Sequence, residues 1–335
     1  MPIDAKAAEI LSRGWYKEPL EANDCEYLMT FRDKSSEANL ATSLANRLVH
    51  RTCSEVGQIT AEIEVSTGPC SGNCKFCRYS EGTTSLGFNE MEDSVLARCV
   101  EKIGGFSDVK NIRLTTCADT DLDDLCRRVG IVKDNARKGT RIFVNTCDMD
   151  VEDCRRIRKA GAYGAYHACR LREGTDTQIK KEARMKTISN LAESGLAVIT
   201  GLGPIGPEHD MKEIIGSFYE ILDLKANNLE LEIREPVVGT PLYQYGKMNP
   251  SRVSQLRAVL TLASSWYDSP VKSTYGGTYL SGANSVVTKV TAENVMSQIE
   301  AARRKLFNSG FERLLKTDDS TVELNLMYLR QSGSV

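Results

Sequence analysis

The sequence predicts an α/β chain folded as a (β/α)8 barrel of the TIM type, and three observations carry that prediction. Short strand-like runs alternate with amphipathic stretches from Ile59 to Leu306, the order that places parallel strands inside and helices outside. No linker, repeat or low-complexity segment interrupts the alternation. The length, 335 residues, lies within the range over which such a barrel runs as one unit. A six-stranded partial barrel is the alternative, because the last two strand runs are weakly separated.

The first 57 residues read as a helical lead-in packing on the barrel, with amphipathic runs at Ala5–Leu11, Glu21–Met29 and Ser36–Val49. The barrel then occupies residues 58–316. Its strands are predicted at Ile59–Ser66, Asn111–Thr116, Arg141–Thr146, Gly161–His167, Leu196–Gly201, Asn228–Arg234, Val271–Tyr275 and Ser285–Thr288. Helices are predicted at Glu90–Ile103, Leu122–Ala136, Val151–Lys159, Thr177–Glu193, Met211–Leu224, Ser251–Trp266 and Ala292–Leu306. Several carry start signals. Asn89, Asp150 and Asp210 each stand three residues before an acid, and Asn249-Pro250 puts proline at the first helical position. Residues 317–335 read as a loosely held tail.

Lys and Arg total 43 against 45 Asp and Glu, a net charge of −2, with neither sign gathered in a block. That distribution offers no footprint for nucleic acid or an anionic membrane. Eleven cysteines, an odd number, come with no apolar leader and no run long enough to span a bilayer. The expectation is a chain in a reducing cytoplasm, with thiols used for metal or catalysis more than for disulfides.

Directly after the first strand stands Gly68-Pro69-Cys70-Ser71-Gly72-Asn73-Cys74-Lys75-Phe76-Cys77-Arg78-Tyr79, with three cysteines spaced C-x3-C-x2-C. A structural zinc site wants four ligands, and this loop supplies three, so a fourth would have to come from His50, Cys53 or further away. An iron-sulfur cubane is held by thiolates, and three suffice where a small molecule takes the remaining iron. The spacing, with Phe76 just before the last cysteine, resembles the signature loop of the radical S-adenosylmethionine (SAM) superfamily. Further phrases are similar to the biotin synthase-like group of that superfamily: Pro19-Leu20, Ala45-Asn46-Arg47, Glu232 to Leu242 and Ser281 to Ser285. That group takes in biotin synthase, the [FeFe]-hydrogenase maturase, methylornithine synthase, the two-protein lipoyl synthase and the iron-guanylylpyridinol cofactor assembly proteins.

The resemblance implies a [4Fe-4S] cluster on Cys70, Cys74 and Cys77, with SAM on its open iron, and an electron donor such as ferredoxin or flavodoxin. Gly201-Leu202-Gly203-Pro204-Ile205-Gly206 matches G-x-G-x-x-G, but a dinucleotide fingerprint belongs after the first strand of a unit and this one follows the fifth. The resemblance reads it as a turn lying against adenine, with Gly201 and Gly203 admitting backbone and Ile205 making the contact. It also places His167 in the active site, Arg184 on the SAM carboxylate and Glu173 on the ribose hydroxyls. Thr115 and Thr116, at the second strand end, and Arg234, at the sixth, are further candidates for SAM binding.

Cys117, Cys147 and Cys169 fall at three successive strand ends, where chemistry gathers in such barrels. A second iron-sulfur cluster is one reading of them, and packing as small apolar groups is the other. Cys25, Cys53, Cys99, Cys126 and Cys154 lie on helical stretches and read as inert. The residues that hold the sulfur-donating cluster in biotin synthase correspond to Leu114 or Thr115, Phe143, Ile199 and Lys272 or Ser273 here, which argues against biotin synthesis itself. The expected function is reductive cleavage of SAM and hydrogen abstraction from a small or carrier-borne precursor in cofactor biosynthesis. Sulfur insertion by a transferase-type enzyme is favoured slightly over carbon-centred rearrangement or fragmentation of the lyase type. Outside this class stand a NAD(P)-dependent barrel oxidoreductase and a zinc-stabilised binding module.

Overall fold

The computed structural model describes residues 2–224, 226–265, 271–274 and 281–319. Eight parallel strands form a ring: β1 (Val56–Glu64), β2 (Asn111–Thr115), β3 (Arg141–Asn145), β4 (Gly164–Tyr166), β5 (Ala197–Ile205), β6 (Asn228–Ile233), β7 (Val271–Thr274) and β8 (Ser285–Lys289). Each pairs with the next, and β8 returns to β1 from Gln58 opposite Ser285 to Glu62 opposite Lys289. That last pairing closes the eight-stranded form. Arg313–Leu314 adds a short strand beside the start of β1. The predicted residues Tyr275, Trp266 and the tail beyond 319 lie outside the described residues.

Alternation along each strand divides its side chains between two faces. Ile59, Ala61 and Ile63 of β1, Ile112 and Leu114 of β2, Ile142 and Val144 of β3, and Val198 and Leu202 of β5 join one large apolar core. That core lies between the ring and the helices α4 (Asp93–Gly104), α5 (Leu122–Asn135), α6 (Val151–Ala160), α7 (Lys181–Glu193), α8 (Met211–Leu222), α9 (Pro250–Ser264) and α10 (Val295–Asn308). The opposite set faces the lumen and is largely polar. Arg113 of β2 is fully buried and crosses to Glu230 of β6, with Nη1 3.1 Å from Oε2 and Nη2 on Oε1 at 2.5 Å. Glu62 lies 3.5 Å away, and the guanidinium sits 4.5 Å from the Tyr166 ring centre. Beside this pair, Phe143, Tyr166, Ala168 and Ile199 make a separate small apolar cluster. Two glycines leave room for it. A Cβ on Gly164 would come within 2.8 Å of the Phe143 ring, and one on Gly201 within 3.0 Å of the Tyr166 hydroxyl.

The cap signals at Asp150, Asp210 and Asn249 work as read: each side chain accepts from a first-turn N–H, at 2.8, 2.7 and 2.9 Å. Asn89 does not cap a helix. It pairs with Thr67 in a two-residue ribbon, and α4 starts only at Asp93, because backbone pairing of Asn89–Glu90 with Ser66–Thr67 takes the chain first. The lead-in helices α1 (Ala5–Trp15), α2 (Ala22–Leu28) and α3 (Ser36–Thr52) pack over α9. Gln255 donates to Leu28 O at 3.0 Å and Arg252 to Met29 O at 2.6 Å. This cover explains why α9 is buried on nearly every face.

Breaking the lumen ion pair from one side leaves a charge in a dry interior. Glu230→Leu is expected to cost about 3–5 kcal/mol, read as a lower urea midpoint at unchanged slope, with the Arg113→Met/Glu230→Leu double variant regaining most of the loss.

Candidate functional site

The loop after β1 is tied at both ends before it presents any thiol. Cys70 N–H donates to Tyr79 O at 2.8 Å, and Glu81 N–H returns to Cys70 O at 3.2 Å. Asn73 takes a φ of +45°, which asparagine tolerates better than most residues. Its Oδ1 accepts from the Ser80 hydroxyl at 2.6 Å and from Gly82 N–H at 2.9 Å. Other strand ends brace the loop. Asp119, after β2, accepts Ser71 N–H at 2.8 Å. The segment after β4 contributes Gln178 N–H to Gly72 O at 2.9 Å and receives Lys75 N–H on Asp176 O at 2.8 Å, while Leu242 N–H, after β6, reaches Lys75 O at 3.2 Å.

Cys74 is buried, and Cys70 and Cys77 are half-buried. Their thiols stand close enough to influence one another. Burial pushes Cys74 up to about 11, with Cys77 and Cys70 adding to the rise and the Arg170 guanidinium opposing it. Burial also raises Cys77. Cys70 goes the other way, down to about 6, with the neighbouring Cys117 thiol the largest cause and the Ala118 and Gly72 N–H groups assisting.

Among the described residues no three Cys, His, Asp or Glu side chains gather around one point as a single metal ion requires. A cubane takes each thiolate on a different iron. Three thiols spread over one braced loop, one of them thiolate-favouring and with a guanidinium nearby, fit that donor set.

Arg170 is the functional candidate that motif reading passed over. Strand alternation from Tyr166 through Ala168 would have found it, since all three share the lumen side. Glu173 accepts from the Arg170 N–H at 3.3 Å and from its Nη1 at 3.4 Å, and also from the Thr177 hydroxyl. On its far side the Arg184 Nε lies 3.5 Å from Glu173 Oε1. Arg170, Glu173 and Arg184 thus form one buried row beneath the cysteine loop. Burial works against the charge of Arg170, yet Cys74, Glu173, Tyr166 and Glu232 outweigh it and hold its pKa above the ordinary value.

Unsatisfied buried donors mark the places where a polar ligand would find partners. Arg184 Nε, Arg234 Nε and Nη1, and Thr115 Oγ1 are such atoms. Arg234 spends its Nη2 on Glu208 at 2.7 Å and Gly246 O at 3.2 Å. The Thr116 hydroxyl is engaged with Thr146 at 2.9 Å and Cys117 O at 3.0 Å. Gly203 has a φ of +148°, and a Cβ there would come within 2.5 Å of Glu232 O, so β5 approaches β6 closely at this point. Ile205 is fully buried in the main core.

The three strand-end cysteines take different surroundings. Cys117 turns to Cys70, Cys169 packs in the main core, and Cys147 is half-buried against that core with the Thr146 hydroxyl at 3.8 Å. His167, one residue after lumen-facing Tyr166, points outward between β4 and the helices. Its Nε2 lies 2.9 Å from Asp148 Oδ1 and 3.1 Å from Arg184 Nη1, so it stands behind Arg184. Burial, with Arg184 and Arg170 adding and Asp148 opposing, brings its pKa down to about 4. The imidazole is neutral in the fold, so its contribution to stability is complete above pH 6.5 and is lost as pH falls toward 4. His167→Gln is expected to flatten the fall in Tm between those values.

No protein-family model matches the chain. It is 24% identical to the biotin synthase of Acetivibrio thermocellus over 230 residues, 65% of this chain and 70% of that protein. The biotin synthase of Clostridioides difficile is 25% identical over 283 residues, 75% of this chain and 81% of its own. The crystal structure of methylornithine synthase superposes with a TM-score of 0.78 over 96% of this chain and 99% of that one; at 16% identity this likeness concerns the fold alone. Two biotin synthase alignments, a closed parallel barrel and three cysteines braced at its mouth agree in likening the chain to the biotin synthase-like group of the radical SAM superfamily, whose members use a [4Fe-4S] cluster and SAM.

Proposed function

We propose that the chain uses Cys70, Cys74 and Cys77 to hold a [4Fe-4S] cluster and acts on a small or carrier-borne precursor in cofactor biosynthesis by carbon-centred rearrangement or fragmentation. The cluster and SAM, when bound, would supply one-electron reductive cleavage of SAM and, through it, hydrogen-atom abstraction from the substrate. The observation that carries the reading is the braced cysteine loop above a polar lumen. Arg184, buried beside Glu173, suits the carboxylate of SAM, since a planar guanidinium binds carboxylate in a fork. Glu173, held between two guanidinium groups, is the acceptor nearest to hand for ribose hydroxyls. Gly201 and Gly203 let β5 pack closely against Tyr166 and β6, on the strand against which adenine would lie. The surrounding wall excludes water from a reactive radical.

Carbon chemistry is favoured over sulfur insertion by the lumen cluster of Phe143, Tyr166, Ala168 and Ile199. Two of these residues stand where biotin synthase would need ligands for its sulfur-donating cluster. The separate surroundings of Cys117, Cys147 and Cys169 support the same choice. Half-exposed Cys70 and Cys77 suit electron delivery from a small redox protein such as ferredoxin or flavodoxin. No described helix is long and apolar enough to cross a membrane.

The deciding measurement is iron per chain after anaerobic reconstitution. About four irons in the wild type and none in the Cys70→Ala/Cys74→Ala/Cys77→Ala variant are expected; about eight in the wild type would restore sulfur insertion, and none would return the zinc module or the NAD(P) enzyme. Arg184→Ala is expected to weaken SAM binding by about 2 kcal/mol, with Arg184→Lys recovering part of it. Equilibrium dialysis checks this, and unchanged affinity would move the carboxylate partner to Arg234.

A further inference from the structure

The Arg113–Glu230 pair spans the lumen between β2 and β6. Two residues further along the same strands, on the same face and one layer nearer the mouth, stand Thr115 and Glu232. The Thr115 hydroxyl is buried without a hydrogen-bond partner. Glu232 is half-buried, and its carboxylate has no hydrogen bond or ion pair among the described residues, although most charges around it are matched. Lys289 bonds Glu64 at 2.6 Å, Arg113 is engaged by Glu230 and Glu62, and Arg170 and Arg184 share Glu173. Among the described residues, Glu232 is thus a lumen carboxylate whose neighbouring cations, Arg113, Lys289 and Arg170, are each engaged by another carboxylate.

An unpaired carboxylate in a lumen is costly unless a ligand completes it. We propose that the lumen layer between the Arg113–Glu230 floor and the cysteine loop binds the protonated amine of a small substrate, with Glu232 as its counter-ion and the Thr115 hydroxyl as a second contact. This deepens the radical reading, on which it rests, by naming the substrate class: an amine-bearing molecule, whose ammonium pairs with Glu232 and fixes which carbon faces the mouth. Glu232 also lies within electrostatic reach of Cys77 and Arg170, so a molecule anchored on it sits against the cofactor end of the lumen. Burial raises the Glu232 carboxyl, Glu62 and Glu230 adding to the rise and Arg170 and Lys289 opposing it, as a site awaiting a cation would show.

The test needs no bound cluster. Thermal melting of the apo chain is followed against n-butylammonium chloride, with n-butanol and sodium chloride as matched controls. The cation is expected to raise Tm in a saturable way and the two controls are not. Glu232→Gln should weaken the apparent affinity at least about tenfold, the scale for a charge-assisted hydrogen bond. Thr115→Val, which keeps the charge, should weaken it severalfold and serves if Glu232→Gln does not fold. Equal protection by butanol, or a wild-type response in folded Glu232→Gln or in Thr115→Val, would overturn the proposal. So would protection through Glu232 by SAM with none by butylammonium, which would assign the carboxylate to the cofactor. Failure of the radical reading shows separately, as absent iron in the reconstituted wild type.

Discussion

The Arg113–Glu230 pair inside the ring is the constraint on which the rest of the structure depends. A barrel lumen is ordinarily filled by branched apolar side chains. Here a guanidinium with no exposed surface is held by two carboxylates and an aromatic face. Such a group folds only if its partners arrive from the opposite wall, so it ties β1, β2, β4 and β6 into one register. A slip by one residue would send Arg113 into the apolar shell and Leu114 into the lumen. The same pair lies one layer further from the cysteine loop than Thr115 and Glu232.

Above that floor, order is supplied mostly by backbone hydrogen bonds between loops that belong to different strands. The cysteine loop is braced from the ends of β2, β4 and β6, so the thiols inherit the geometry of the ring and not only that of their own turn. This arrangement suits a group that must be held at three points while a fourth remains open. It also explains the unequal thiols. Cys70 lies beside the hydrogen-bond donors of the β2 end and Cys74 lies deeper, so one loop sequence yields thiols shifted in opposite directions.

The row Arg170–Glu173–Arg184, with His167 and Asp148 behind it, joins the lumen to the apolar shell. Arg170 and Arg184 repel each other, and the carboxylates of Glu173 and Asp148 keep both charges buried. A neutral His167 fills the gap behind Arg184 without adding another charge. The arrangement holds two guanidinium groups near the Cys74 thiol.

The sequence by itself determined the alternation of strands and helices, the caps at Asp150, Asp210 and Asn249, and the spacing of three cysteines on the loop after the first strand. Each rests on local spacing, which survives whatever the rest of the chain does. Phe143 and Ile199 were also recognisable as departures at positions where sulfur chemistry would need ligands. Tertiary structure alone decided which faces those residues share. Tyr166, Ala168 and Arg170 face inward while His167 and Cys169 face outward, a distinction of one residue that uncertain strand boundaries cannot carry. The pairing of Cys117 with Cys70 and the crossing of Arg113 to Glu230 lie beyond local pattern altogether. Those contacts join residues 47 and 117 positions apart: the first needs β1 and β2 to pair, the second needs β2 and β6 to face each other across the ring.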